Sequence, residues 1–206
     1  MSYQEKLVWT IQPKESYKVV RSCSKCGCKS KYVNTGNFRV NANGNSLDIW
    51  LIYQCEKCKT TLNLSIFERV KPNKVPKTQY QKFLSNDEKL AFEYGVNKEL
   101  FQTNKAEIDD DEIEYEVIVN ANIGVNENTN MIKNKSRCDK TILINNPYSL
   151  KIRLEKLISK QFEISRMQIK KLVECGIISN EDGRDLKKII IYDGLEVTIR
   201  NLNDMV

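Results

Sequence analysis

Histidine is the residue type that this chain lacks entirely: none occurs among its 206 residues. Histidine is the commonest general base in enzymes, and it activates the nucleophile in Ser-His and Cys-His pairs. Its absence excludes both arrangements. It also removes imidazole as a metal ligand, so a zinc site in this chain has to be built from sulfur, with or without a carboxylate.

Long apolar runs are missing as well. The longest, Ile49-Trp50-Leu51-Ile52-Tyr53, has five residues, whereas a membrane-spanning helix needs about 20. The first residues, Met1 to Lys6, lack the apolar stretch of a secretory signal. We therefore expect a cytoplasmic protein with no membrane partner. Because thiols stay reduced in that compartment, its seven cysteines are interpreted as metal ligands before disulfides.

Four of the cysteines form two Cys-x-x-Cys pairs, Cys23 with Cys26 and Cys55 with Cys58. This spacing lets two sulfur atoms from one tight turn reach the same ion, and four thiolates satisfy the tetrahedral preference of Zn²⁺. The segment between the pairs is β-prone, which is the layout of a zinc ribbon. We predict one structural Zn²⁺ bound by these four residues. Such a closed site leaves no open coordination position and argues against catalysis by the metal.

A further cysteine, Cys28, leaves one alternative open. It could replace Cys26 as a ligand, although two-residue spacing within a pair is the commoner geometry. The sequence alone does not decide between the two residues.

Charge is distributed unevenly along the chain, which carries a net charge of +6. Residues 1–85 have a net charge of +10, residues 86–146 of −6 and residues 147–206 of +2. Two basic segments therefore flank an acidic one. This pattern is compatible with a polyanionic partner and equally with ordinary solvated surface charge.

Composition and patterning predict an α+β protein in three parts. Residues 1–71 are read as a β-rich zinc ribbon module, in which Asn43-Gly44 marks a hairpin turn. Residues 72–146 are read as an acidic helix-strand segment with linkers, and residues 147–206 as a small α+β module. In the middle segment a helix is predicted to begin near Ser85, because Ser85 and Glu88 match a capping box. An asparagine-rich loop is predicted over residues 120–136.

The last part has the clearest helical pattern. Leu154, Leu157 and Ile158 form an apolar stripe at helical spacing, and Ser165 is placed to cap a second helix. Two helices packed on a β-hairpin or small sheet are therefore predicted. Basic residues recur on the side of each helix opposite the apolar stripe, at i, i+3, i+7 and at i, i+4. These residues are Arg153, Lys156, Lys160, Arg166 and Lys170.

This C-terminal segment resembles the RNA-binding domain named after the fourth protein of the small ribosomal subunit, also called the alpha-L motif. The resemblance implies two helices on a β-hairpin and contact with structured RNA of the ribosomal or transfer RNA class. Its RNA-binding residues would be Arg153, Lys156, Lys160, Ser165, Arg166 and Lys170. The matching stretches are Arg153-Leu154-Glu155-Lys156-Leu157, Ser165-Arg166, Leu172-Val173-Glu174-Cys175-Gly176 and Asp193-Gly194-Leu195-Glu196-Val197.

The whole chain is similar to a bacterial family, domain of unknown function 1062. The resemblance implies an order of modules and no particular activity. It is carried by Trp9-Thr10-Ile11 with Pro13-Lys14, by Phe38-Arg39-Val40-Asn41-Ala42-Asn43-Gly44, and by Asp48-Ile49-Trp50-Leu51-Ile52-Tyr53-Gln54-Cys55.

Three functions are weighed on these grounds. The first is a zinc-containing, non-enzymatic protein that contacts structured RNA through its C-terminal module. The second is a protein-protein adaptor that docks through the zinc ribbon or the acidic middle. The third, an RNA-modifying enzyme, is the least favoured, because the sequence shows no Gly-rich phosphate loop, no nucleophile beside a base and no open metal site. No small-molecule substrate is evident, and we predict that the protein is not an enzyme.

Overall fold

The computed structural model describes residues 5–109, 113–122, 139–180, 186 and 188–200. These residues form a mixture of helices and strands, which confirms the predicted α+β class. The strands are β1 (Glu5–Pro13), β2 (Val19–Cys23), β3 (Cys28–Asn43), β4 (Ser46–Cys55), β5 (Thr61–Val70), β6 (Glu107–Ile108), β7 (Tyr115–Asn122), β8 (Lys140–Asn145), β9 (Ile178–Asn180) and β10 (Leu195–Ile199). The α helices are α1 (Lys77–Leu84), α2 (Glu88–Gly95), α3 (Lys98–Thr103), α4 (Leu154–Phe162) and α5 (Arg166–Glu174), and a 3-10 turn spans Pro72–Lys74.

The chain divides into two compact units rather than three consecutive modules. One unit combines Met1–Gln12 with Glu116–Val206, and the other is Pro13–Tyr115. The predicted boundaries at residues 71/72 and 146/147 differ from this division. The reason is long-range strand pairing: β1 lies parallel to β8, with Glu5 opposite Lys140 and Thr10 opposite Asn145. Periodicity within a segment carries no information about such a distant partner.

The unit formed by Pro13–Tyr115 contains a five-stranded sheet in the order β5-β4-β3-β2-β6. All its pairs are antiparallel. Burial alternates along the whole of β4, so one face of this strand packs inward while the other stays partly exposed. The three helices α1, α2 and α3 contact β3 and β5. The core between them is aromatic, and the ring of Phe101 meets Tyr17 and Tyr53 edge-on at 5.7 and 6.1 Å between centroids.

The predicted helix start at Ser85 is wrong. Ser85 instead caps the C-terminal end of α1, and its amide donates to the carbonyl oxygen of Gln81. The cap of the next helix is Asp87, whose side chain accepts from the Leu90 amide at 2.8 Å. Aspartate and serine are both strong N-cap residues. Because Ser85 and Asp87 lie only two residues apart, the sequence alone did not show which of them caps the start of the helix.

The other unit contains a five-stranded sheet in the order β7-β1-β8-β10-β9. Strand β10 is antiparallel to both of its neighbours. Leu154, Leu157 and Ile158 of α4 are buried, as the stripe predicts. The Ser165 cap is also confirmed: its hydroxyl accepts from the Gln168 amide at 3.2 Å, and the Gln168 side chain accepts from the Ser165 amide at 2.8 Å.

Within the described ranges, no helix combines the length and the hydropathy that a bilayer-spanning segment requires. The asparagine-rich loop predicted over residues 120–136 falls for the most part outside the described residues.

Candidate metal centre

Each Cys-x-x-Cys pair lies in a turn between two antiparallel strands. The first turn joins β2 to β3 and the second joins β4 to β5. In the first, the Gly27 amide donates to the carbonyl oxygen of Cys23 at 2.9 Å, and in the second the Lys59 amide donates to the carbonyl oxygen of Cys55 at 3.0 Å. The two turns therefore close with the same hydrogen bond, and the first cysteine of each pair, Cys23 or Cys55, is the last residue of the strand that enters its turn.

Strand pairing brings the two turns side by side. Tyr32 of β3 lies opposite Cys55 of β4, and beyond this pair the Glu56 amide donates to the carbonyl oxygen of Lys31 at 3.0 Å. The sulfur atoms of Cys23, Cys26, Cys55 and Cys58 consequently all lie within 4.8 Å of one another. Cys23 and Cys55 are buried, and Cys26 and Cys58 are half-buried.

The spacing of the sulfur atoms fits a tetrahedral metal ion. A Zn–S bond of about 2.3 Å implies an edge of roughly 3.8 Å between sulfur atoms of a regular tetrahedron. The Sγ atoms of Cys23 and Cys58 are 3.4 Å apart, and those of Cys26 and Cys55 are 3.9 Å apart. Both separations far exceed the roughly 2.05 Å of a disulfide bond. The four cysteines could thus hold one metal ion.

Neighbouring hydroxyl groups favour thiolates at two of the four positions. A hydrogen bond from the Tyr32 hydroxyl, supported by contact with the Cys26 backbone, lowers the pKa of Cys23 to about 5. The same hydrogen bond raises the pKa of Tyr32 to about 12. Thr60 lies with its Oγ1 3.1 Å from Cys58 Sγ, and this hydrogen bond lowers the pKa of Cys58. Thiolates, not thiols, ligate metals, so these hydroxyls prepare the cluster for an ion.

The third thiol shows the opposite tendency. Hydrogen bonding to Cys58, followed by burial, raises the pKa of Cys26 to about 12. The pKa values of Cys23 and Cys58 are thus lowered, whereas that of Cys26 is raised. The metal-free cluster therefore keeps protons that an incoming cation must displace. Binding of a metal ion at this cluster would therefore release protons.

Cys28 lies beside the cluster and not in it. Its exposed thiol is 3.7 Å from the Ser30 hydroxyl and 3.8 Å from the ammonium nitrogen of Lys57. The group of four mutually close sulfur atoms includes Cys26 instead. The geometry thus favours Cys26 over the alternative that the spacing left open.

The residues predicted to bind RNA lie in the other unit. Arg153 precedes α4 and its backbone bridges to Ile190. Lys170 of α5 forms a 3.7 Å ion pair with Glu174, and both side chains are more than half exposed. All six predicted RNA-binding residues are exposed at the surface: Arg153, Lys156, Lys160, Ser165, Arg166 and Lys170.

Sequence reasoning missed the two hydroxyls that contact the thiols. Thr60 follows Cys58 by two residues, and this closeness in sequence could have identified it as a neighbour of the thiol. Tyr32 gave no such signal, because its contact with Cys23 depends on the register of β2 against β3.

Fold and site together define an α+β protein with a four-cysteine candidate metal centre. A family model described as "Protein of unknown function (DUF1062)" matches residues 40–184. The chain belongs to this family. The matched range includes Cys55 and Cys58 and begins after Cys23 and Cys26. No curated protein and no solved structure matches the chain.

Proposed function

We propose that the four cysteines bind one Zn²⁺ with a structural role. The observation that carries this proposal is the convergence of four Sγ atoms within 4.8 Å of one another. Four thiolates and no oxygen or nitrogen ligand favour Zn²⁺ over the hard cations Mg²⁺ and Ca²⁺. When bound, the ion supplies coordinate bonds that tie the β2–β3 turn to the β4–β5 turn. Four protein ligands complete its coordination, so the role is stabilisation rather than catalysis.

Metal analysis of the purified chain tests this step. We expect one zinc per chain, and loss of the zinc in the double variant Cys55→Ser/Cys58→Ser. The matched control is Cys28→Ser, which removes an exposed neighbouring thiol that lies outside the cluster and should leave the zinc content unchanged. A chain purified without zinc, or full zinc content in the double variant, would refute the proposal.

We further propose that the unit containing α4 and α5 contacts structured RNA. The support is that each of these helices has a buried apolar side and an exposed basic side. Leu157 and Ile158 of α4 and Ile169 of α5 are buried, while the basic residues of both helices are exposed. An exposed basic surface held on packed helices suits recognition of the phosphate backbone of an A-form helix.

Arg166 is central to this proposal. It is the first residue of α5 and follows the capping box at Ser165, so its backbone is fixed at the helix start. An arginine can bind one phosphate through two parallel hydrogen bonds, which a lysine cannot do. Lys170, one turn later, would neutralise a second phosphate after release from its exposed ion pair with Glu174, which costs little.

The test is a salt titration of the full chain with a hairpin RNA. Each phosphate neutralised contributes roughly −0.7 to −0.9 to the slope of log affinity against log salt. The variant Arg166→Ala/Lys170→Ala should flatten the slope, whereas Lys71→Ala/Lys74→Ala, a matched loss of two exposed charges in the other unit, should leave it unchanged. The full chain is needed because β10 pairs with β8, and β8 with β1.

An unchanged slope in the first variant would refute RNA binding by α4 and α5. So would the absence of any binding near 50 mM salt, a concentration at which phosphate contacts are strong. Either result would favour the adaptor function, with a protein as the partner.

A further inference from the structure

A cleft of about 560 Å³ lies in the Pro13–Tyr115 unit, away from the cysteine turns. It is bounded by the end of the β3–β4 hairpin, by the 3-10 turn and by the first turn of α1. Its volume is in the range of small-molecule binding sites, roughly 300–1,000 Å³. The lining residues are Ala42, Leu47, Pro72, Asn73, Val75, Pro76, Lys77 and Tyr80.

The inner wall of the cleft is apolar and rigid. Leu47 and Val75 are almost fully buried, with 1% and 4% of their surfaces exposed. Pro72 and Pro76 have fixed backbone φ angles and no amide hydrogen to satisfy. The 3-10 turn that begins at Pro72 is closed by the hydrogen bond from the Lys74 amide to the carbonyl oxygen of Lys71, at 2.9 Å. A preformed apolar wall binds a ligand at a lower entropic cost than a flexible one.

The charge in the cleft has one sign. Lys77 is the charged residue among the eight that line it, and none of the eight is acidic. Lys77 is also the first residue of α1, and the helix begins there with Pro76 at the cap position, without a side-chain cap and without an acidic residue in its first turn. The positive end of the helix dipole therefore adds to the ammonium charge. A negative group on a ligand would compensate both.

We propose that this cleft binds a small carboxylic acid with an apolar body. The apolar body lies against Leu47, Val75 and the two prolines, and the carboxylate pairs with Lys77. Asn73 and Tyr80 offer an amide and a hydroxyl that select the orientation of the bound molecule. This binding site is independent of the zinc and RNA proposals, because it uses none of their residues.

Titration of the full chain, as purified, with sodium octanoate tests the inference, with binding measured by calorimetry. We expect saturable binding that weakens about tenfold or more in Lys77→Ala, which is the usual effect of losing one charge-assisted hydrogen bond. Lys74→Ala is the matched control, since this exposed lysine is the last residue of the neighbouring 3-10 turn and is not among the residues that line the cleft. Its affinity should equal that of the unchanged chain. Octylammonium, with the same chain and the opposite charge, should bind at least about tenfold more weakly than octanoate.

A second variant tests the location of the binding site. Ala42 is exposed at the rim, so Ala42→Trp fills the cleft without disturbing the core and should abolish octanoate binding. Circular dichroism and urea denaturation confirm that each variant is folded. The inference is overturned if octanoate fails to saturate, if Lys77→Ala or Ala42→Trp binds it as tightly as the unchanged chain, or if octylammonium binds equally well.

Discussion

Gly27 and Lys59 occupy equivalent positions in the two cysteine turns. Each follows the second cysteine of its pair, and each donates its amide hydrogen to the carbonyl oxygen of the first cysteine. Both backbones are left-handed, with φ of +67° at Gly27 and +62° at Lys59. Glycine adopts this conformation freely, whereas a residue with a Cβ atom pays about 1–2 kcal/mol. The second turn is therefore strained where the first is not.

The first prediction follows from this difference in backbone strain between the two turns. Lys59→Gly should raise the free energy of unfolding of the zinc-loaded chain by about 0.5–1 kcal/mol, since relief of the left-handed strain exceeds the entropy that glycine adds to the unfolded chain. Urea denaturation measures the change. Lys57→Gly is the control, because Lys57 is exposed in the same turn and its φ is not positive. An equal gain in both variants would show that charge, not backbone strain, is responsible.

The second prediction concerns the hydroxyl of Tyr32. Its hydrogen bond lowers the pKa of Cys23 to about 5, so Tyr32→Phe should return that pKa towards 9, the ordinary value. Protons then compete with the metal at a higher pH, and the pH at which half the zinc is released should rise. Loss of such a contact to a ligand typically weakens metal binding by about 10- to 100-fold. Chelator competition at several pH values measures both effects.

The control for this prediction is Tyr94→Phe. The Tyr94 hydroxyl accepts from the Gln79 side chain at 3.1 Å and takes no part in the cysteine cluster. This variant should release zinc at the same pH as the unchanged chain. A matching shift in both variants would mean that general destabilisation, and not the contact with Cys23, sets zinc affinity.

The third prediction concerns Gly95, the last residue of α2. A Cβ atom added there would lie 2.7 Å from Asn34 Nδ2 and 2.7 Å from Ser16 Cβ. The neighbours are held in place, because Asn34 donates to the Ser16 hydroxyl and to the carbonyl oxygen of Ala91, both at 2.9 Å. Gly95→Ala should therefore lower the free energy of unfolding by about 1–3 kcal/mol, the usual cost of overpacking.

A double-mutant cycle tests this explanation. Ser16→Gly removes the side chain that the new methyl group would meet, so Gly95→Ala/Ser16→Gly should lose less stability than the two single variants combined. Strict additivity of the two losses in urea denaturation would show that the close approach is not the cause.

The sequence predicted those features that depend on local spacing. The Cys-x-x-Cys pairs identified the four cysteines that converge, and the stripe containing Leu157 identified the buried face of α4. Both follow from rules that act over a few residues. The capping box at Ser165 was predictable for the same reason.

Features that depend on distant strands were not predictable. The parallel pairing of β1 with β8 crosses more than a hundred residues, and no local pattern encodes it. The contact of Tyr32 with Cys23 needs the β2–β3 register, and the apolar cleft needs the hairpin end near Leu47 to meet the segment near Val75. The propensity of a segment says what it forms and leaves open what it packs against.

The last prediction concerns Trp9, whose replacement should destabilise one of the two units and leave the other folded. Trp9 lies on β1, opposite Ile144 of β8, and its ring centroid is 5.7 Å from that of Phe162 at the end of α4. It is 4% exposed, and its indole nitrogen has no hydrogen-bond partner among the described residues. The chain's start thus contributes a large apolar side chain to the unit that holds the proposed RNA-binding helices.

Trp9→Ala should lower the free energy of unfolding of this unit by about 3–5 kcal/mol, the usual cost of truncating a buried tryptophan. RNA binding should fall with it, while the chain keeps one zinc, because all four cysteines belong to the unit formed by Pro13–Tyr115. Trp9→Phe is the matched variant: it keeps an aromatic ring and removes the unpartnered N–H group, so its loss should be much smaller. Urea denaturation, RNA binding and zinc content, measured on the same samples, decide the outcome. Parallel loss of zinc and RNA binding in Trp9→Ala would show that the two units unfold as one.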